Sequence, residues 1–246
     1  MNTRSIQLPV TGTSSAAPSR VSPATHGRRT DALLLETLLV PIAAVLAVRA
    51  VNTGPLEQWR WLIVPAVLTA AAFIPAMCRK EPLRLLGFNR KHLWLSVRIV
   101  ALTCFFVFPP VLLTCWLLKT CGYRSLLVPA LPAEQNWIAW LVYQFMYVAA
   151  AEELFFRGYL QRNIQTLIRT WLPGRQIACI GITILLSAGV FAAAHVIVQG
   201  HALAALTFLP GLILAWLLVR TRSLLAPILF HALANTFYFV MAAALA

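Results

Sequence analysis

The chain has 246 residues, of which 60% are hydrophobic and 11% charged, and its mean hydropathy is +0.79. Because an average soluble domain has about 25% charged residues, this composition excludes an ordinary soluble protein. The net charge of +13 would suit a nucleic-acid-binding protein, but the basic residues lie between long apolar runs. Basic residues in this position are typical of the loops between membrane spans, where they orient the protein and are attracted to anionic lipid. We therefore predict a bilayer environment and no nucleic-acid partner.

The chain divides into a polar start and a long apolar remainder. Residues 1–30 are rich in Ser, Thr, Pro and Ala and lack the apolar core of a signal peptide. We predict a disordered cytoplasmic tail at 1–30 and one domain at 31–246. Seven apolar runs follow, long enough to cross a bilayer as helices: 33–51, 61–77, 97–118, 137–156, 177–198, 202–219 and 224–245. The predicted fold is all-α, a polytopic transmembrane helical bundle of about seven spans.

The distribution of Lys and Arg orients this bundle. If the N-terminus is cytoplasmic, sixteen of the twenty basic residues fall on the inner side and four on the outer side. Cytoplasmic loops carry such an excess, so we predict a cytoplasmic N-terminus and an outer C-terminus. The ratio of 17 Arg to 3 Lys suggests a GC-rich genome, which favours a bacterial inner membrane and weighs against a prenylated substrate.

Two basic segments contain apolar residues at intervals typical of amphipathic helices that lie among lipid headgroups, at 81–94 and 159–172. We predict that the second continues the fourth span along the interface. Glu36, near the start of the first span, is predicted to be interfacial, and His92 and His201 are predicted to have no part in a site.

Ionisable residues also lie inside the apolar runs, where insertion of each costs about 2.5–3.5 kcal/mol. Glu152 and Glu153 are adjacent in the fourth run, and Arg157 follows Glu153 by four residues. On a helix this spacing allows an ion pair between Glu153 and Arg157. Glu152 is rotated from Glu153 by about 100°, so we predict that it faces another helix.

The fifth and seventh runs supply polar partners for these carboxylates. Phe191 and His195 are four residues apart, as are His231 and Asn235, so each pair lies on one helix face. Carboxylates, imidazoles, an amide and a guanidinium provide a base, groups that orient it, and donors for a developing oxyanion. A bundle that needs only stability seldom has so many polar groups on three spans, so we predict a hydrolytic site.

Two alternatives remain open. Two imidazoles and one or two carboxylates could bind zinc with an open coordination position, although the sequence lacks the HExxH motif. A non-enzymatic immunity factor, receptor or scaffold could also keep the polar cluster for packing or ligand binding.

The three polar patterns resemble the motifs of the CPBP family (CAAX-processing and bacteriocin-processing, also called Abi) of glutamic-type intramembrane endoproteases. The EExxxR, FxxxH and HxxxN motifs correspond in order to Glu152, Glu153 and Arg157, to Phe191 and His195, and to His231 and Asn235. They lie in a motif-bearing core at 137–246. The resemblance implies an intramembrane endopeptidase that cleaves a membrane-associated peptide or protein, or a C-terminal tag, without a metal cofactor.

The resemblance also implies a role for each motif residue. Glu152 would be the general base that activates water, and His195 would position that water. His231 and Asn235 would stabilise the oxyanion. The supporting residues of the site would be Glu153, Arg157 and Phe191.

The depth of these residues in the bilayer is not uniform if each run starts where its apolar residues start. Glu152 and His231 would lie about 8 and 10 Å from the inner boundary, and His195 about 27 Å from it. We therefore expect the fifth span to begin nearer Thr183 and the site to lie toward the inner half of the bilayer.

Overall fold

The computed structural model describes residues 23–80, 93–122 and 136–245. Within these ranges the chain forms seven helices and no strand, which confirms the predicted all-α fold. The helices are α1 (Pro23–Thr53), α2 (Arg60–Cys78), α3 (Leu93–Thr120), α4 (137–171), α5 (Gln176–Gln199), α6 (Phe208–Thr221) and α7 (Leu225–Leu245). Short 3₁₀ turns at Glu57–Trp59 and Ala202–Thr207 precede α2 and α6.

Two predicted segments lie mainly outside the described residues. The predicted tail is described only from Pro23, where α1 begins, so its last eight residues are helical. The predicted interfacial segment at 81–94 is described only at Leu93 and Trp94, which begin α3.

Six helical segments in the described ranges are long and apolar enough to cross a membrane. They are Gly27–Thr53, Glu57–Cys78, Leu93–Thr120, Gln176–Gln199, Ala202–Thr221 and Leu225–Leu245. The remaining helix, α4, carries the charged residues Glu152, Glu153 and Arg157 near its middle. The chain is therefore a multi-pass membrane protein, as its apolar runs predicted.

The helix α4 is a composite of two kinds of turn. Its α-helical parts, Trp137–Tyr143, Ala150–Glu153 and Arg162–Trp171, are separated by π-helical segments at Gln144–Ala149 and Leu154–Gln161. The Asn136 side chain caps the N-terminus by accepting hydrogen bonds from two backbone N–H groups. π-helical turns are rare and frequent at functional sites, and here they flank the single α-helical turn that bears both glutamates.

The same helix occupies the centre of the bundle. It packs against α1, α2, α5, α6 and α7, and every residue of Leu154–Gln161 is buried. The predicted continuation of the fourth span is present, because α4 runs to Trp171. Its first residues, Tyr159 and Leu160, are 1% exposed and pack inside the protein instead of facing lipid headgroups. The amphipathic part is confined to Arg162–Trp171.

The helix α3 is the most peripheral of the spans. Only 6% of its most apolar 18-residue window is buried, against 39% for α5. Phe108 attaches it to α7 by stacking on Phe230 and Phe237, with ring centroids 6.0 and 4.4 Å apart. Its other apolar side chains are largely exposed, as expected of a helix whose outer face is solvated by lipid.

The start of α5 corrects the expectation of a later beginning near Thr183. The helix begins at Gln176, and the expectation was wrong because it assumed a shorter α4. Glu152 lies nineteen residues before the end of α4 at Trp171, and His195 lies nineteen residues after Gln176. Both residues are therefore about 28 Å along their helices from the turn that joins α4 and α5. Glu152 and His195 consequently lie at the same depth in the bundle.

Candidate active site

Four ionisable side chains from three helices meet near the middle of the bundle. Glu152 and Glu153 come from α4, His195 from α5 and His231 from α7. The Oε2 atom of Glu152 lies 3.8 Å from Nε2 of His195 and 3.9 Å from Nε2 of His231. Both separations exceed a direct hydrogen bond. The Glu152 and His195 side chains are 19% and 20% exposed, so both can be reached from outside the packed core.

The second carboxylate, that of Glu153, is fully buried and has two partners. Its Oε2 atom is 3.1 Å from Nε of Arg157, so the predicted ion pair is present, and its Oε1 atom is 2.7 Å from Nδ1 of His231. An ionised carboxylate only accepts, so Nδ1 donates. This contact orients the imidazole so that Nε2 faces Glu152, in the way that a carboxylate fixes a catalytic or metal-bound histidine.

His195 is oriented by its own helix. Its Nδ1 atom lies 2.9 Å from the carbonyl oxygen of Phe191, and since a carbonyl only accepts, Nδ1 donates. In the neutral imidazole, Nε2 is then an acceptor directed toward Glu152. The Phe191 ring packs against the His195 ring at a centroid distance of 4.2 Å. The Arg157 guanidinium lies 4.2 Å from the Phe191 centroid, which is a favourable position for a buried cation.

Asn235 lies one turn beyond His231 on α7, and its amide contacts α4. Its Nδ2 atom donates to Oε1 of Gln144 at 3.1 Å. The sequence reasoning missed Gln144, which is buried in the first π-helical segment. The sequence feature that could have identified Gln144 is its position, as an uncharged polar residue in the apolar stretch before Glu152.

A cavity of about 320 Å³ adjoins Glu152 and His195. Its walls come from α1, α2, α4 and α5, and most of the lining side chains are apolar. The other polar lining residues are Asn52, Arg60, Tyr143 and Gln199. His231 and Asn235 are not among the described residues that line it, so the cavity exposes one side of the polar cluster.

Glu36, predicted to be interfacial, belongs to a separate polar network. Glu36 forms an ion pair with Arg79 and accepts a hydrogen bond from the Tyr159 hydroxyl at 2.8 Å. Arg79 also donates to the side-chain oxygen of Asn163 at 3.4 Å. Glu36 therefore joins α1 to α2 and α4.

Metal binding was left open by the sequence. Within the described ranges, no group of three or more His, Cys, Asp and Glu side chains is arranged to hold a metal ion. Cleavage in the presence of a strong chelator tests the zinc alternative.

The sequence comparison gives one family. A family model described as Rce1-like, type II CAAX prenyl endopeptidase, matches residues 134–237. The matched segment contains every residue of the three predicted motifs and agrees with the CPBP resemblance, which is thereby confirmed. No curated protein and no solved structure matches the chain. The matched segment is less than half of the chain, so it shows a similarity to these CAAX prenyl endopeptidases over the motif-bearing part.

Proposed function

From the match of residues 134–237 to the Rce1-like CAAX prenyl endopeptidases, we propose that this protein is an intramembrane endopeptidase that uses a water activated by Glu152. The observation that carries the proposal is the position of the Glu152 carboxylate, 3.8 and 3.9 Å from two imidazole Nε2 atoms at the edge of a cavity. Polar atoms at such separations are commonly bridged by a water or a ligand atom.

The acceptor atoms define how that water would be held. The Glu152 carboxylate and Nε2 of neutral His195 both accept hydrogen bonds. A water beside them would donate one hydrogen to each and keep its oxygen lone pairs for attack. Glu152 would take a proton as the water oxygen bonds to the substrate carbonyl carbon, and would deliver it to the leaving nitrogen as the C–N bond breaks.

The oxyanion formed by this attack needs hydrogen-bond donors. His231 would donate from Nε2 in its imidazolium form, stabilised by the carboxylates of Glu153, 2.7 Å from Nδ1, and Glu152, 3.9 Å from Nε2. Asn235 uses one amide hydrogen on Gln144 and has a second for the oxyanion. Arg157 acts through Glu153 as a positioning residue and does not meet the substrate.

The size of the cavity is compatible with part of a peptide substrate. A volume of about 320 Å³ lies at the lower end of the range for small-ligand pockets, so it would hold a few residues of an extended chain. We propose a membrane-associated polypeptide cleaved near a terminus as the substrate.

The test is cleavage by purified protein in lipid nanodiscs. Two peptides of one sequence ending in a CAAX tetrapeptide are compared, one farnesylated and one not. We expect Glu152→Gln to lower kcat/KM by about 100-fold or more, since loss of a general base has effects of about 10²–10⁴. Asp31→Asn, the same carboxylate-to-amide change at an exposed position, and treatment with a strong chelator should leave cleavage unchanged.

The other outcomes decide between the alternatives. Loss with chelator that zinc restores would make the protein a metalloprotease. Equal cleavage by wild type and Glu152→Gln would remove the catalytic assignment of Glu152. Failure of the folded wild type to cleave either peptide would exclude this CAAX sequence as a substrate and leave another substrate and a non-enzymatic role equally open. Cleavage of only the farnesylated peptide would show that the lipid is recognised.

A further inference from the structure

A second, larger cavity shares Arg157 with the carboxylate cluster, but none of the glutamates and histidines of that cluster is among its lining residues. It has a volume of about 500 Å³ and is bounded by the C-terminal half of α4, the start of α5 and the end of α6. Its wall contains Arg157, Arg162, Arg169 and Arg222, together with three glutamines. No carboxylate is among the described residues that line it. The proposed protease mechanism leaves this cavity unused.

Three arginines of this wall, Arg157, Arg169 and Arg222, have donor groups that a ligand could use. Arg157 is fully buried, and its Nη1 atom has no hydrogen-bond partner among the described residues. Arg169 and Arg222 are exposed and form none of the ion pairs found within those residues. Like charges around one cavity repel, and in a partly buried site this repulsion is stronger than in bulk water. A bound anion would relieve it.

The geometry favours an anion with several oxygens. Arginine forks and glutamine amides together offer many N–H donors, which match a phosphate better than the two oxygens of one carboxylate. The wall also includes Gln176, the first residue of the 24-residue helix α5, where the positive end of the helix dipole adds to the arginine charges.

We propose that this cavity binds a phosphate-bearing anion, either the headgroup of an anionic phospholipid or free phosphate. Its volume lies within the usual range of small-ligand sites. By the distribution of basic residues it faces the predicted cytoplasmic side, where basic pockets between membrane helices bind lipid headgroups. The cavity shares Arg157 with the proposed protease site, but the binding of an anion does not require protease activity.

Thermal unfolding in nanodiscs tests the proposal and separates the two sources. Phosphatidylcholine nanodiscs are titrated with inorganic phosphate against chloride at equal ionic strength, and are compared with nanodiscs that contain phosphatidylglycerol. If the site takes a headgroup, phosphatidylglycerol raises Tm and phosphate has little effect. If it takes free phosphate, phosphate raises Tm saturably in phosphatidylcholine alone.

Two matched pairs of substitutions test whether a change in Tm arises from binding in the cavity. Arg169→Gln/Arg222→Gln removes two charges from the wall, while Arg175→Gln/Arg220→Gln removes two exposed charges close by in sequence that do not line it. We expect the first pair to weaken the apparent affinity at least about tenfold, since two charged hydrogen-bond partners of the anion are removed. The second pair should stay within about twofold of wild type.

Three results would overturn the proposal. The first is a wild-type Tm that neither anion changes, which is decisive even if the variants fold poorly. The second is equal weakening by both pairs of substitutions, which would indicate general surface charge. The third is displacement of the anion by the unlipidated CAAX peptide, which would place a substrate carboxylate in the cavity instead.

Discussion

Glu153 connects the charge balance of the core to the orientation of the site. Its carboxylate is fully buried between Arg157 and His231. A buried charge is tolerated when it is paired, and removal of one partner leaves the other uncompensated. Because the same carboxylate fixes Nδ1 of His231, a change at Glu153 should affect both stability and activity.

We expect Glu153→Gln to lower the free energy of unfolding by about 3–5 kcal/mol, the usual cost of breaking a buried ion pair. Denaturation in mixed micelles measures this change. The double variant Glu153→Gln/Arg157→Met removes the uncompensated guanidinium and should regain most of the stability. It should remain inactive, because His231 still lacks its carboxylate partner.

The double variant supplies the control for this interpretation. A double variant no more stable than Glu153→Gln alone would show that the uncompensated charge of Arg157 is not the source of the loss. A double variant with wild-type activity would remove the role of Glu153 in orienting His231.

At the scale of elements, the close approach of α5 and α6 holds the second motif in place. A Cβ atom added at Gly211 of α6 would lie 3.3 Å from the Phe191 ring and 3.4 Å from Cα of Ala188 on α5. The Gly211 carbonyl also accepts a hydrogen bond from Arg157 at 3.4 Å. A small residue at this position lets the helix backbones approach and sets the position of Phe191, on whose ring His195 packs.

Gly211→Leu should therefore displace Phe191 and His195. We expect peptide cleavage to fall about 10- to 100-fold, since a misplacement of 1 Å can cost about 100-fold. Overpacking should also lower the free energy of unfolding by about 1–3 kcal/mol. The control is Gly189→Leu on α5, where an added Cβ has no heavy atom within 4 Å. Equal losses in the two variants would show that the α5 and α6 contact does not control the site.

At the scale of the whole molecule, the topology depends on whether α4 crosses the membrane. Six helical segments in the described ranges meet the length and hydropathy of a span, and α4 with its charged centre would be the seventh. An odd number of crossings puts the two termini on opposite sides of the membrane. With the basic residues arranged as they are, we propose a cytoplasmic N-terminus, in a bacterial inner membrane.

This topology predicts opposite accessibility of two terminal tags on the full chain. In sealed inside-out membrane vesicles, added protease should remove an N-terminal tag and leave a C-terminal tag intact, and the pattern should reverse in right-side-out vesicles. Detergent should expose both tags and serves as the control. Both tags on one side would mean that α4 does not complete a crossing.

Local patterns predicted much of the fold and part of the site, because they are properties of one helix at a time. The length of each apolar run predicted a helix, since a bilayer-spanning helix must satisfy its backbone internally. The spacing of Glu153 and Arg157 predicted their ion pair, which the structure contains. Such features need no knowledge of which helix packs against which.

The contacts between helices were decided by the tertiary structure. The bond from Asn235 to Gln144 and the network of Glu36, Arg79 and Tyr159 depend on how each helix is rotated toward its neighbours. Hydropathy also could not place the end of α4, since burial of one face keeps its polar C-terminal part helical. That extension brings Glu152 level with His195. The sequence by itself determined the membrane helices and the chemistry they carry, while packing of distant segments determined which groups meet and which cavities surround them.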